Sequence, residues 1–98
     1  MIKVYKLISG EELIGEVFNV LAESVELKNP ATIVLQQTQK GMGVGLAPYM
    51  PYAEEEKIFL RNAAIASEAT PAVNMVNEYS RIFGSGIQIA PAGSVFTG

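Results

Sequence analysis

The stretch Glu12-Leu13-Ile14-Gly15-Glu16-Val17-Phe18 constrains the fold more than any other part of this chain. Its residues alternate, with Leu13, Gly15 and Val17 on one face and Glu12, Ile14, Glu16 and Phe18 on the other, so a period of two is favoured over a helical period. A glycine inside such a run gives up side-chain packing and marks a sharp bend, a bulge or a barrel corner. The chain is therefore expected to build a short, strongly bent sheet. The segments around it fit that expectation. Ile2, Val4, Tyr5, Leu7 and Ile8 run into the turn composition Ser9-Gly10-Glu11-Glu12, and alternation resumes at Val25-Glu26-Leu27-Lys28 before Asn29-Pro30, where proline removes a ladder donor and calls for a bend or an edge.

Further along, Ala31 to Gln37 is β-branched and apolar, and Lys40-Gly41-Met42-Gly43-Val44-Gly45-Leu46 sets three glycines on one face of a strand, a stripped face that another backbone can approach. These glycines lack the spacing of a phosphate-cradling loop, and no Lys-Ser/Thr pair follows them. Ala47 to Ala53 is irregular, rich in aromatics and proline, and Glu54-Glu55-Glu56-Lys57 reads as a solvated turn. Ile58-Phe59-Leu60 is a strand interrupted by Arg61-Asn62, and Ala63 to Ala66 resumes extended structure. One helix is expected over about residues 71–83, with Thr70 as N-cap, Pro71 in the first helical position, an apolar stripe of Val73, Val76, Tyr79, Ile82 and Phe83, and Gly84 as its stop. The expected organisation is a single domain over 1–98, with a five-stranded barrel over about 1–68, the helix, and a tail over 85–98 that is mobile unless a partner orders it.

Composition narrows the function classes. A chain of 98 residues leaves no room for two cores, and one this short buries only about 60–65% of its unfolded surface. At 49% hydrophobic residues it carries apolar surface to spare, and self-association is the expected use for it. Cysteine and histidine are both absent, which excludes thiolate nucleophiles, disulfides and the usual neutral-pH base. The paired carboxylates at Glu11-Glu12 and Glu54-Glu55-Glu56 lie in polar turns as surface charges, and no serine sits in a nucleophile elbow. We expect no enzyme activity, no cofactor and no metal. The N-terminal residues lack the apolar run of a signal peptide and no stretch approaches a membrane span, so a cytoplasmic protein is expected. All ten acidic residues are Glu, and the net charge of −3 argues against nucleic-acid binding by bulk counterion release. Any such contact has to be local.

Arg61 is one of two arginines and directly follows an apolar strand. Its planar fork suits a phosphate, a base edge or a ring face, and its structural alternative is an ion pair with a nearby Glu. For Arg81, on the polar face of the helix, the ion pair is the stronger reading. Tyr49, Tyr52 and Phe59 are candidates for base stacking or for filling a core or interface.

Two motifs resemble the Sm/LSm family. Tyr5-x-Leu7-x-x-Gly10-x-Glu12-Leu13-x-Gly15-x-Val17, followed by Val25-Glu26-Leu27, is similar to the family's first motif. Ile58-Phe59-Leu60-Arg61-Asn62-Ala63-Ala64-Ile65 is similar to its apolar strand, Arg-Gly turn and closing strand, with Arg61 on the family's arginine. Together they cover about a third of the chain. The strings Ala47 to Tyr52 and Asn77 to Gly86 also look like small Sm-like proteins of bacteriophages, cyanophage types in particular. The resemblance implies a strongly bent five-stranded antiparallel Sm-like (SH3-type) barrel, mainly β; the one helix read from the residues lies C-terminal, a departure from the family, which usually has it at the N-terminus. It implies a homo-oligomeric ring of about five to seven subunits that pairs edge strands between neighbours and binds RNA, or single-stranded DNA, in the cytoplasm of a phage-infected bacterium. Carried over by position, the contacts are Arg61, Asn62 in place of the family's glycine, and Ser24 in place of its asparagine; the family's aspartate has no counterpart. The rival expectation is a homo-oligomeric structural or adaptor protein that binds a protein partner and no nucleic acid.

Overall fold

A computed structural model describes residues 1–84. The strands are β1 (Ile2–Leu7), β2 (Glu12–Val20), β3 (Ser24–Thr38), β4 (Gly41–Pro48), β5 (Lys57–Arg61) and β6 (Ile65–Ala69), with a 3-10 turn at Asn62–Ala64 and one helix, α1 (Val73–Phe83). The fold is mainly β, as the alternation requires, and every pairing is antiparallel. The described residues form six strands rather than the expected five. β4 and β5 lie end to end along the same side of β3, Pro48 opposite Ala31 and Lys57 opposite Lys28, so one edge position is filled by two strands. The irregular Tyr49–Glu56 segment, with its Pro51, separates them.

The sheet is also open rather than a closed barrel. Its order is β4-β3-β2-β1-β6, with β5 beside β3 and no ladder between β5 and β6. Strong curvature is nonetheless imposed by the chain. Laid flat, β5 and β6 would stand four strand spacings apart, about 19 Å. Only Asn62–Ala64 join them, in a turn that rises about 2 Å per residue. The two edges can be joined this way only if the sheet curls, and Ile8 N–H donating to Ala64 O over 2.8 Å ties the β1 end to the same turn.

The bend is built at Gly15 and Asn29-Pro30. In the β2–β3 ladder Ile14 pairs with Ala31 and Glu16 with Lys28, so Gly15 alone faces both Asn29 and Pro30. This is a β-bulge, and Asn29 adopts φ +50°, a left-handed conformation that asparagine tolerates better than most residues. A Cβ on residue 15 would stand 3.4 Å from both the Leu27 Cβ and the Pro30 Cα, at the near limit of ordinary van der Waals contact, so the position is closely packed. The extra residue reverses the parity of β3. Val25 and Leu27 point into one core, whereas Ala31 and Ile33, also odd-numbered, point into the other.

The first core, inside the curl, contains Tyr5, Leu7, Leu13, Val25, Leu27 and Leu60, with Val17, Tyr49 and Ile65 packed against it. The second lies under α1 on the opposite face and contains Ile14, Ala31 and Tyr79, flanked by Ile2, Val4, Ile33, Leu46, Met75 and Phe83. Leu13 and Ile14 are adjacent in sequence and fully buried on opposite faces, each burial contributing about 1.5–3 kcal/mol.

The helix starts later than expected. Ala72, not Thr70, is its N-cap, without a side-chain cap bond, and Pro71 stays in the connection. The Ala72 carbonyl accepts from the N–H groups of Met75 and Val76. Docking sets this start, because the buried stripe is Met75, Tyr79 and Phe83, steps of four that leave Val73 and Ile82 exposed. Gly84 ends the helix in the left-handed conformation, φ +54°, as expected, and its N–H donates to Ser80 O. The expected tail over 85–98 lies outside the described residues. No helix among the described residues is long and apolar enough to cross a membrane.

Candidate nucleic-acid interface

β5 alternates Lys57, Phe59 and Arg61 outward with Ile58 and Leu60 inward, Leu60 being buried in the first core. Its register on β3 pairs Arg61 with Ser24, Phe59 with Glu26 and Lys57 with Lys28. Residues paired in this way share a face. Arg61 and Ser24, some forty positions apart in the sequence, are thus direct neighbours, and Asn62 follows at the start of the 3-10 turn. The fold brings all three of the expected contact residues together.

Their environments differ. Arg61 is exposed and, among the described residues, enters no ion pair, so the structural alternative weighed for it from sequence does not hold. Arg81 does pair, with Nη2 2.5 Å and Nε 3.2 Å from the two Glu78 carboxylate oxygens, and those bonds hold its guanidinium above the ordinary arginine value. Asn62 is partly spent on the fold. Its N–H donates to Glu23 O at 2.9 Å and its side-chain amide to Ala22 O at 3.3 Å, latching the turn that Leu21 N–H closes on Ser24 O. Ser24 is buried at 8% exposure, so its hydroxyl offers little to a ligand. Arg61 is therefore the one open cation of the three.

Two neighbours escape a reading of the sequence in separate motifs. Lys57, assigned there to a solvated turn, begins β5 and holds its ammonium 3.7 Å from the centre of the Phe18 ring, in cation–π contact. The available signal was the period-two spacing of Lys57, Phe59 and Arg61. Among the stacking candidates, Phe59 is half exposed on this face, Tyr52 is fully exposed in the loop, and Tyr49 packs on the first core. The glycines at 41, 43 and 45 do share a face, but what lies over it is the hairpin's own side chains, Thr38 beside Gly43 and Gln36 across Gly45, rather than a second backbone.

Beyond Phe59 the charge changes sign. An open groove of about 650 Å³ runs along Met50, Ala53, Ile58 and Phe59 and is bordered by Glu26, Glu55 and Glu56, with Lys57 at its side. The face thus has a cationic end at Arg61 and an acidic end at Glu55-Glu56. Among the described residues no cluster of acidic side chains is placed to hold a metal ion. No protein-family model matches the chain, and no curated protein does.

Proposed function

We propose that this chain is a non-enzymatic, Sm-like, ring-forming protein that binds single-stranded nucleic acid, RNA first and single-stranded DNA second, with Arg61 as its principal contact. The observation that carries this reading is the position of Arg61. It is an exposed guanidinium outside any described ion pair, held at the end of a strand across from Ser24 and beside the latched Asn62 turn. A guanidinium positioned in this way offers a fork of donors to a phosphate or a base edge. Phe59, two residues away on the same face, adds an aromatic flank.

The edges of the sheet support the assembly part of this reading. Among the described residues β6 pairs with β1 alone, and β4 and β5 with β3 alone, so both borders of the described sheet keep a row of backbone groups open to a further strand. Pairing one border with the opposite border of an identical neighbour is a heterologous contact, which closes into a ring where the rotation permits. Five to seven copies and a phage-infected bacterial cytoplasm come from the family resemblance. A ring repeats Arg61 at high effective concentration while also multiplying the −3 charge, so binding is selective and strongly salt-dependent.

The test is titration of a short labelled RNA, and the same sequence as DNA, into the assembled protein at low and at about 0.15 M salt. Arg61→Ala is expected to weaken binding about tenfold or more without dissociating the ring. Absence of binding at low salt overturns the nucleic-acid reading. The second reading, an adaptor that binds protein alone, is favoured by the carboxylates of Glu26, Glu55 and Glu56 beside Phe59, and it takes over in that case.

A further inference from the structure

The β3–β4 hairpin carries a surface that none of the described residues of its own subunit covers. Ile33 and Leu46 pair across it and pack on the second core under α1. The same row then continues outward through Leu35 opposite Val44 and through Met42 opposite Gln37. Leu35 is 72%, Met42 62% and Val44 47% exposed. At the tip, Gln39 and Lys40 form a two-residue loop between Thr38 and Gly41. Its shape is fixed by the Thr38 hydroxyl, which donates to Gly41 O at 2.6 Å and accepts from Lys40 N–H at 3.2 Å, with Gly41 at φ +111°. The result is a pre-shaped finger with an apolar flank and a single cation at its end; no described ion pair uses Lys40.

The groove beside β5 has the complementary chemistry. Its lining combines the apolar Met50, Ile58 and Phe59 with three glutamates, against one lysine whose ammonium is already seated over Phe18. The finger cannot reach the groove of its own subunit. From Ala31 to Thr38 the hairpin runs about 23 Å away from the bulge, while the groove lies on the other side of that bulge, beside Glu26 and β5.

We propose that the β3–β4 hairpin tip of one subunit docks into the Glu26–Glu55–Glu56 groove of the next, Lys40 among the carboxylates and Met42 with Leu35 against Met50 and Phe59. The contact is heterologous and therefore compatible with a ring. It divides β5 between two partners, the acidic end to a neighbouring protein subunit and the Arg61 end to nucleic acid. It rests on the self-assembly part of the proposed function and is independent of nucleic-acid binding.

Native mass spectrometry and light scattering across a dilution series test it, with circular dichroism to verify that each variant is folded. Lys40→Glu, and separately Glu55→Lys with Glu56→Lys, are each expected to weaken subunit association about tenfold or more, and the combination of both sets to recover most of the loss. Met42→Ser is expected to weaken it without a change in salt dependence. Wild-type assembly unmoved by the charge reversals, or reversals that fail to rescue one another, overturns the hairpin contact alone and leaves the groove to a cationic segment of another protein. A wild-type chain that stays monomeric at every concentration overturns the self-assembly reading together with it.

Discussion

The hydroxyl of Tyr79 lies 2.7 Å from the carbonyl oxygen of Lys28, and 3.0 Å from that of Asn29, so a helix side chain supplies a donor to the carbonyl just before the β-bulge and to the first carbonyl within it. Tyr79 is almost fully buried, with its ring 4.9 Å from that of Phe83. Two features that look separate in the sequence, a helix near the end and a bend near the middle, are one structural unit. Replacing Tyr79 by Phe keeps the ring and strands both carbonyls. We expect a loss of about 1–3 kcal/mol in chemical denaturation with the sheet signature retained. A Tyr79→Phe protein as stable as wild type would remove this account of how α1 is held.

The same hydroxyl makes stability sensitive to alkali. Burial pushes the Tyr79 phenol up to about 12 from an ordinary value of 10.0, with the Glu16 carboxylate adding to the rise and a backbone hydrogen bond from Glu16 opposing it. Tyr5 is raised in the same direction, chiefly by burial. The unfolded chain therefore loses these protons first as pH rises. The stabilisation is fully present below about pH 10 and is lost as pH climbs towards 12, on the order of 2 kcal/mol for Tyr79. Urea midpoints measured through that window should fall more steeply for wild type than for Tyr79→Phe, and the difference isolates Tyr79 from lysines titrating nearby.

At the bulge, backbone conformation sets the ranking of substitutions. Asn29 stands at φ +50°, which glycine adopts freely and β-branched residues resist. Asn29→Gly is expected to stay within about 0.5 kcal/mol of wild type, and Asn29→Val to cost about 1–2 kcal/mol. Thermal unfolding of the two side by side gives the answer, and equal melting temperatures would contradict the bulge geometry.

Arg61 and Asn62, adjacent in sequence, should separate by role. Asn62→Ala breaks the side-chain bond to Ala22 and loosens the turn beside Ser24, costing about 0.5–1.5 kcal/mol. Arg61→Ala removes an exposed side chain outside any described ion pair and is expected to change stability by less than about 0.5 kcal/mol. Differential scanning calorimetry resolves the two, and a marked loss in Arg61→Ala would give that arginine a structural role.

Much of this was legible from residue pattern alone. The alternation through Glu12–Phe18, the bend at Gly15 and the stop at Gly84 all rest on local chemistry, which a sequence displays, whereas the strand expected to break after Leu60 runs on through Arg61. The parts that were not legible depend on partners far along the chain. Thr70 and Pro71 make a good helix start by composition, but the docking of Met75, Tyr79 and Phe83 moved it to Val73. The division of one edge into β4 and β5 depends on both finding β3, which no local pattern encodes. At the candidate site, the meeting of Arg61 with Ser24 was inferred from resemblance rather than from spacing. The cation–π contact of Lys57 with Phe18 required two strands to be placed before it could be seen.

The extra residue opposite Gly15 also makes the middle of β3 intolerant of length change. Deleting one residue between Leu27 and Ala31 would turn the distal hairpin over, sending Val34 and the glycine row towards α1 and Leu35, Val44 and Met42 to the reverse side. Selection on this segment should therefore tolerate exchanges of residue type while rejecting single-codon insertions and deletions.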